Sequence, residues 1–133
     1  MRTKEKLALV LLAGMGIVAP ANPNLHAQQN KSPPAYVISN IYVTDPSGYK
    51  KFIDAVPATL APYHATFLVR GGRTEAFAGE DPQRIVVIVF QSMEDAVRWR
   101  RSADYLKVKE LALTSARDIS SYAVEGVAPA VLN

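Results

Sequence analysis

The sequence contains no cysteine and only two histidines among its 133 residues. Without cysteine the chain cannot form disulfides, use a thiol nucleophile or carry a lipid on an N-terminal cysteine. It also lacks a Gly-x-Ser-x-Gly elbow, a phosphate-binding loop and a His-Glu-x-x-His motif. These absences exclude several of the strongest catalytic signatures.

Residues 1–27 have the pattern of a secretory signal peptide. Three basic residues precede the apolar run LALVLLAGMGIVA, and small residues follow it. The run is shorter than the roughly 20 residues that a membrane-spanning helix needs. The sequence therefore predicts export, with cleavage after Ala27 or alternatively after Ala21. The product would be a periplasmic or secreted protein without a stable membrane anchor.

Removal of this segment changes the charge and the histidine content of the chain. It takes away three Lys or Arg and one Glu, which leaves 12 basic and 11 acidic residues. The isoelectric point of about 9.3 therefore overstates the basicity of the mature protein, and nucleic acid is not an expected partner. His64 is the only histidine left, so one chain cannot bind a metal through two imidazoles. No metal or cofactor is expected.

The mature chain divides into a flexible leader at 28–34, one domain at 35–127 and a C-terminal tail at 128–133. The leader, QQNKSPP, is polar and ends in two prolines. In the domain, strand patterns occur at YVISNIYV, ATFLVRGGRTEAFAG, RIVVIVFQ and DISSYAVEGV, and helical patterns follow the first and third strands. This order predicts an α+β fold, a ferredoxin-like βαββαβ protomer with an antiparallel sheet and both helices on one face.

Local signals mark where the two helical regions begin and end. Asp45 can cap the first helix, and Ser92 with Asp95 resembles a capping box at the start of the second. Pro57 is expected to kink the first helix, and Pro62 is expected to end it.

The sheet face that the helices leave uncovered predicts self-association. Ile38, Tyr42 and Leu68 are expected on that face because strand residues alternate between the two sides. A second copy would bury these apolar side chains. The sequence therefore predicts a homodimer in which two sheets face each other as a dimeric α/β barrel.

Arg70 is the first candidate for contact with a ligand. By strict alternation it shares a strand face with Thr66 and Leu68, which would direct it toward the barrel interior. Its planar guanidinium suits a carboxylate or an enolate. The alternative is a structural ion pair with an Asp or Glu, for instance across the dimer. The following Gly71-Gly72 pair is expected to bend or bulge the strand.

Three further polar residues are candidates for a site. Asn40 and Tyr42 share one face of the first strand, where they either orient a ligand or are satisfied polar groups at the sheet surface. His64 lies at a helix-to-strand junction, and its alternatives are a structural polar residue, a haem ligand or the general base of a reaction.

Two groups in the second helical region are interpreted as structural. Trp99 and Tyr105 are expected in the core rather than on a cofactor-binding surface. The basic cluster of Arg98, Arg100 and Arg101 is expected to be a solvated helix face.

Four segments, in order, resemble a known family. AYVISNIYVTDPSGYKKF, VPATLAPYHATFLVRGG, RIVVIVFQS and WRRSADY are similar to the small bacterial family called domain of unknown function thirteen-thirty, within the dimeric α/β-barrel superfamily. The resemblance covers about residues 35–127, and Arg70-Gly71-Gly72 is its most recognisable feature. It implies a ferredoxin-like protomer, a homodimer and a cleft, but no particular reaction. The superfamily includes cofactor-free monooxygenases, isomerases, haem-binding enzymes and sensor domains.

The chain departs from the family pattern at two places. His64-Ala65 stands where the family usually has Gly-Gly, and IVFQS at 88–92 stands where it usually has Ile-Glu-Phe-Pro-Ser. The missing glutamate removes an acid or base, which disfavours catalysis. The signal peptide is an addition to the usual cytoplasmic form.

The sequence thus predicts an exported homodimer that binds a small apolar or aromatic acid through Arg70, Asn40 and Tyr42. One alternative is a cofactor-independent oxygenase or isomerase that uses His64 or a tyrosine as its base. Another is a non-catalytic, stress-related dimer without a ligand.

Overall fold

The computed structural model describes residues 32–127, which form a single four-stranded antiparallel sheet with helices on one side. The predicted signal peptide and tail, and the leader up to residue 31, lie outside the described residues. The elements are β1 Ala35–Val43, α1 Pro46–Leu60, β2 Thr66–Arg70, β3 Ile85–Phe90, α2 Met93–Arg100, α3 Ala103–Lys109 and β4 Ala116–Glu125, with 3₁₀ turns at Ala61–Tyr63 and Glu110–Ala112. The sheet order is β2-β3-β1-β4, which is the ferredoxin-like arrangement that the sequence predicts.

The helices begin where the sequence signals stand. Ser92 Oγ accepts a hydrogen bond from the Asp95 N–H at 3.1 Å, which confirms the predicted cap of α2. Asp45 precedes α1 but makes no capping bond, and its carboxylate instead accepts from the Ser47 hydroxyl at 3.1 Å. Pro57 lies inside α1, which ends before the turn that contains Pro62. Within residues 32–127, none of the helices is long and apolar enough to cross a membrane.

The hydrophobic core lies between the sheet and the helices. Alternate residues of β1 and β3 face it, as period-two patterning requires, and the buried stripe of α1 packs against them. Trp99, a residue of α2, is buried, and its indole N–H donates to Thr59 Oγ1 at 2.9 Å. The predicted core role of Trp99 and Tyr105 is therefore confirmed. The buried hydrophobic set includes Val37, Ile41, Tyr49, Phe52, Val56, Leu60, Val86, Ile88, Phe90, Trp99 and Tyr105.

The opposite face of the sheet exposes apolar side chains. Leu68 is 56% exposed, Tyr122 55%, Val124 43% and Tyr42 38%. These fractions are high for large apolar residues that share one sheet surface. The predicted uncovered face is therefore present in the described part of the chain.

Two single-residue bulges interrupt the alternation of the edge strands. In β2, Phe67 pairs with Ile88 and Val69 pairs with Val87, so Leu68 has no partner of its own. Since alternation has a period of two, one extra residue moves everything beyond it to the other face of the sheet.

The bulge in β2 corrects the predicted orientation of Arg70. Arg70 pairs with Val86, whose side chain is buried under the helices, so it lies on the same side as Phe67 and not with Thr66. The irregularity that does this is at Leu68, before the glycine pair. Arg70 therefore points into the space between sheet and helices, away from the uncovered face.

A second bulge in β4 has the same effect on Asp118. Asn40 pairs with Ser120 and Ile41 pairs with Asp118, which leaves Ile119 as the extra residue. Asp118 consequently shares the helix side with the buried Ile41. The two bulges bring one cation and one anion to the same side of the sheet.

Candidate anion-binding cleft

A cleft lies between the sheet and the helices, and its lining includes Arg70 at the end of β2 and Arg84 just before β3. Its free volume is about 510 Å³ with the mouth included, while about 40 Å³ is open to the centre of a water molecule. A water molecule occupies about 10–15 Å³ when volume is counted at its centre. The enclosed part of the cleft therefore has room for about three waters. A larger ligand would therefore place part of its body in the mouth. Charged side chains on the lining are Arg70, Arg84, Arg100, Lys109 and Asp118.

Each of the four cations in the cleft lies over an aromatic ring. The faces of such rings attract cations, and the attraction is stronger where water is partly excluded. The rings therefore fix the positions of charges on otherwise flexible side chains. The distances to the ring centroids are 4.3 Å for Arg70 over Phe67, 5.7 Å for Arg84 over Tyr49, 4.8 Å for Arg100 over Tyr105 and 5.6 Å for Lys109 over Phe52.

Asp118 neutralises one part of this positive charge. Its Oδ2 accepts from Lys109 Nζ at 2.8 Å and from Arg100 Nη2 at 3.2 Å. Arg100 also donates to the hydroxyl of Tyr105. Asp118, Arg100, Lys109 and Tyr105 thus form one connected group at the helix α3 side of the cleft.

Arg70 and Arg84 have no carboxylate partner among the described residues. Arg70 donates from Nη2 to the carbonyl of Ile53 in α1 at 2.5 Å, which leaves most of its five donors free. The Nε of Arg84 is buried and, within residues 32–127, has no hydrogen-bond partner. The buried, unpaired Nε of Arg84 is costly. Arg70 is more exposed, but its guanidinium lies on the lining of the same cleft, so the two groups together favour an anionic ligand.

Gly71 makes room for Arg84. Its φ is +72°, in the left-handed region, and a Cβ at this position would overlap the Arg84 guanidinium. Its N–H bonds to the carbonyl of Ile85 at 2.8 Å, which holds the backbone in place. The glycine next to Arg70 is therefore required both for the turn and for the seat of a second arginine.

The two tyrosine hydroxyls of the cleft are protonated at neutral pH. Burial raises the pKa of Tyr49 above its usual value, and the neighbouring Arg84 charge offsets only part of the rise. Burial likewise raises the pKa of Tyr105 to about 12, against the opposing effect of Arg100. Both groups can therefore donate a hydrogen bond to a ligand, and neither is suited to act as a base.

The other predicted site residues lie outside this cleft. Asn40 and Tyr42 occupy the uncovered face, where Asn40 Oδ1 accepts from the Gln83 N–H at 3.0 Å and Tyr42 contacts Arg117. His64 is exposed at φ +53°, directly after the turn that follows α1. The structure therefore does not bring these three residues together with Arg70.

Four charged residues of the cleft are not among the candidates that the sequence offers. Arg84 could have been found from alternation, because it has the same parity as the buried Val86. Arg100 is wrongly interpreted as part of a solvated face, since it turns inward to Asp118 while Arg98 and Arg101 remain exposed. Asp118 enters the cleft through a bulge that no sequence signal marks. Lys109 can be recognised as a residue of the cleft only through its contact with Asp118.

Metal coordination has no basis in the described part of the chain. Among residues 32–127, no group of three or more Asp, Glu or His side chains is arranged to hold a metal ion. The cleft is instead dominated by hydrogen-bond donors. Its chemistry therefore suits a ligand with negatively charged acceptor oxygens.

The fold and the cleft define a ferredoxin-like α+β protein with a cationic cavity between sheet and helices. Within that class, the chain belongs to the family described as Domain of unknown function (DUF1330), which matches residues 34–127. This confirms the resemblance in the sequence. No curated protein matches the chain.

Solved structures with the same fold come from bacteria and from a plant. A protein of unknown function from Rhodopseudomonas palustris is 11% identical, with a TM-score of 0.57 over 86% of this chain and 99% of that one. A hypothetical Arabidopsis thaliana protein is 11% identical, with a TM-score of 0.55 over 76% and 94%. HapK from Hahella chejuensis is 15% identical, with a TM-score of 0.50 over 74% and 98%. At these identities the likeness concerns the fold alone.

Proposed function

We propose that this protein is an exported homodimer that binds a small apolar or aromatic acid in the cleft between sheet and helices. The observation that carries the proposal is the pair of guanidiniums, Arg70 and Arg84, that face an aromatic-lined cavity without a carboxylate partner among residues 32–127. A carboxylate ligand would satisfy both its own charge and their free donors.

The donor-rich lining narrows the ligand class. Besides Arg70 and Arg84, the cleft holds the protonated hydroxyls of Tyr49 and Tyr105. Within residues 32–127, the one carboxylate on its lining already accepts from two cations. A ligand with an ammonium group would find no free anion there. An acid whose body is a hydrocarbon or an aromatic ring fits better than an amino acid.

Binding is favoured over catalysis by the state of the groups in the cleft. A cofactor-independent oxygenase or isomerase needs a base, but the pKa values of Tyr49 and Tyr105 are raised and Asp118 is held by two cations. His64 lies outside the lining. A reaction that His64→Ala abolishes while ligand affinity is unchanged would reverse this preference.

Arg70 provides the main test of binding. Arg70→Ala should weaken binding of the acid by about 1.5 to 3 kcal/mol, roughly 10- to 150-fold, because a charged hydrogen bond is lost. Arg70→Lys keeps the charge without the planar fork and should give a smaller loss. The ligand is first identified by native mass spectrometry and extraction from protein purified out of its own compartment, and calorimetry then measures affinity.

Arg73→Ala is the matched control for this test. It removes the same charge from the exposed loop just beyond the glycine pair, and should leave affinity within about twofold because exposed charges are screened. Equal affinities for the Arg70→Ala and Arg73→Ala variants, with a lower melting temperature only for the former, would make Arg70 a structural residue. Protein that carries no acid and binds none would favour the stress-related dimer.

Asn40 and Tyr42 remain candidates for a ligand held between two sheets rather than in the Arg70 cleft. If the cleft is the site, Tyr42→Phe should leave affinity unchanged. A loss comparable with that of Arg70→Ala would move the site to the dimer interface.

The homodimer is proposed from the uncovered sheet face. Stable interfaces bury more than about 1,000 Å² in total, and the apolar surface around Leu68 and Tyr122 is the surface available for this. Sedimentation should give a dimer at micromolar concentration, and Tyr122→Glu should dissociate it because a charge would be buried. A folded wild-type monomer would exclude the dimer.

Export is proposed from the N-terminal sequence pattern. Intact-mass measurement of protein recovered from the periplasm or the medium should give an N-terminus near Gln28. Uncleaved protein found in the cytoplasm would contradict this.

A further inference from the structure

The four cations of the cleft form two pairs, of which one contacts a carboxylate of the protein and the other does not. Arg100 and Lys109 share the carboxylate of Asp118, at 3.2 and 2.8 Å. Arg70 and Arg84 share none within the described chain. The cleft therefore contains two positions for an anion, and one of them holds a carboxylate of the protein itself.

Asp118 reaches the second anion position because of the bulge in β4, which leaves one residue of the strand without a partner. Without the extra residue Ile119, Asp118 would have the parity of Ser120 and Tyr122 and would lie on the uncovered face. The bulge leaves Ile119 unpaired and 47% exposed. The bulge thus brings the carboxylate to the cleft, where it is 24% exposed and contacts both Arg100 and Lys109.

We propose that Asp118 is a specificity-determining residue that fills the second anion position, so that the cleft accepts acids with one carboxylate and rejects acids with two. This inference rests on the proposed binding of an acid. The second carboxylate of a diacid would approach Arg100 and Lys109, whose charges Asp118 already engages. Two like charges in a partly dehydrated cleft repel each other strongly.

Aromatic acids of matched shape test the inference. Benzoate carries one carboxylate, and the three isomers of benzenedicarboxylate carry two at three different separations. Affinities are measured by calorimetric titration into the full mature protein. The wild type should bind each diacid at least about tenfold more weakly than it binds benzoate. Wild-type protein that binds any diacid as tightly as benzoate would overturn the proposal.

Asp118→Asn should reverse the discrimination. At least one diacid should gain about tenfold or more in affinity relative to benzoate, while the control Asp54→Asn should bind all four acids as the wild type does. Asp54 is a matched control because it also loses a carboxylate from an ion pair, with Lys50, on the exposed side of α1.

The remaining outcomes are also decisive. An equal gain for benzoate and the diacids in Asp118→Asn would mean that Asp118 acts through overall charge, which refutes a second position. If neither the wild type nor the variant binds any of the four acids, the inference is refuted, while the proposed function is decided separately by the acid extracted from the purified protein. Circular dichroism checks folding, and Asp118→Ser provides the same comparison if the asparagine variant does not fold.

Discussion

Replacing Gly71 with alanine should reduce ligand binding more than its effect on stability would suggest. Gly71 has φ +72°, and a non-glycine residue in this conformation costs about 1 to 2 kcal/mol. The new Cβ would also overlap the Arg84 guanidinium. That group is the end of a flexible side chain, so it can move aside at little further cost. We expect a melting temperature lower by about 4 to 16 °C and a displaced Arg84.

Two other glycines of the same loop serve as controls. Gly79 has φ +78°, and a Cβ at this position would meet only open space. Gly79→Ala should therefore also lower the unfolding free energy by about 1 to 2 kcal/mol, but without moving Arg84. Gly72 is not in the left-handed region and also has open space. Its alanine variant should stay within about 0.5 kcal/mol of the wild type.

Chemical denaturation and calorimetric titration with benzoate measure the two effects separately. Gly71→Ala and Gly79→Ala should lose similar stability, but only Gly71→Ala should lose affinity, by at least about tenfold, because a charged hydrogen bond to Arg84 is lost. If Gly71→Ala binds benzoate as tightly as Gly79→Ala does, Arg84 does not hold the ligand and the reasoning is refuted.

Two further predictions concern the buried hydroxyl groups. Thr59→Val removes the acceptor of the Trp99 N–H and should cost about 1 to 3 kcal/mol of unfolding free energy in urea; Thr59→Ser, which keeps the hydroxyl, should cost less, and equal losses would contradict the role of this bond. The pKa of Tyr105 is raised from 10.0 to about 12, so its protonated form contributes stability that is full below pH 10 and is lost as the pH rises through 12. The unfolding free energy of Tyr105→Phe should therefore fall less steeply than that of the wild type across this window, and parallel pH profiles would count against it.

The fold could be predicted because its signals are local and mutually consistent. β1 alternates through all nine residues, α1 repeats apolar residues at helical spacing, and Ser92 marks the start of α2 with a side chain that bonds as expected. These patterns depend on near neighbours in the sequence. They therefore needed no knowledge of tertiary contacts.

The site was harder to predict because it depends on parity across bulges. Strict alternation sends Arg70 and Asp118 to the uncovered face, whereas both reach the cleft. A bulge arises from pairing with a distant strand, and neither Leu68 nor Ile119 differs in type from an ordinary strand residue. Arg100 was hidden for a related reason, since only its contact with Asp118 separates it from the exposed arginines beside it.

The bulge in β2 also bears on how such a site can arise and change in evolution. Inserting a single codon near Leu68 moves only Val69 and Arg70, the two residues left before the strand ends, to the other face. The buried residues of β1 and β3 keep their places, so one genetic event can add a charge to the cleft while the core stays intact. Within this family, one-residue gaps in the edge strands are therefore expected to separate groups with different ligands, even where the substituted positions look alike.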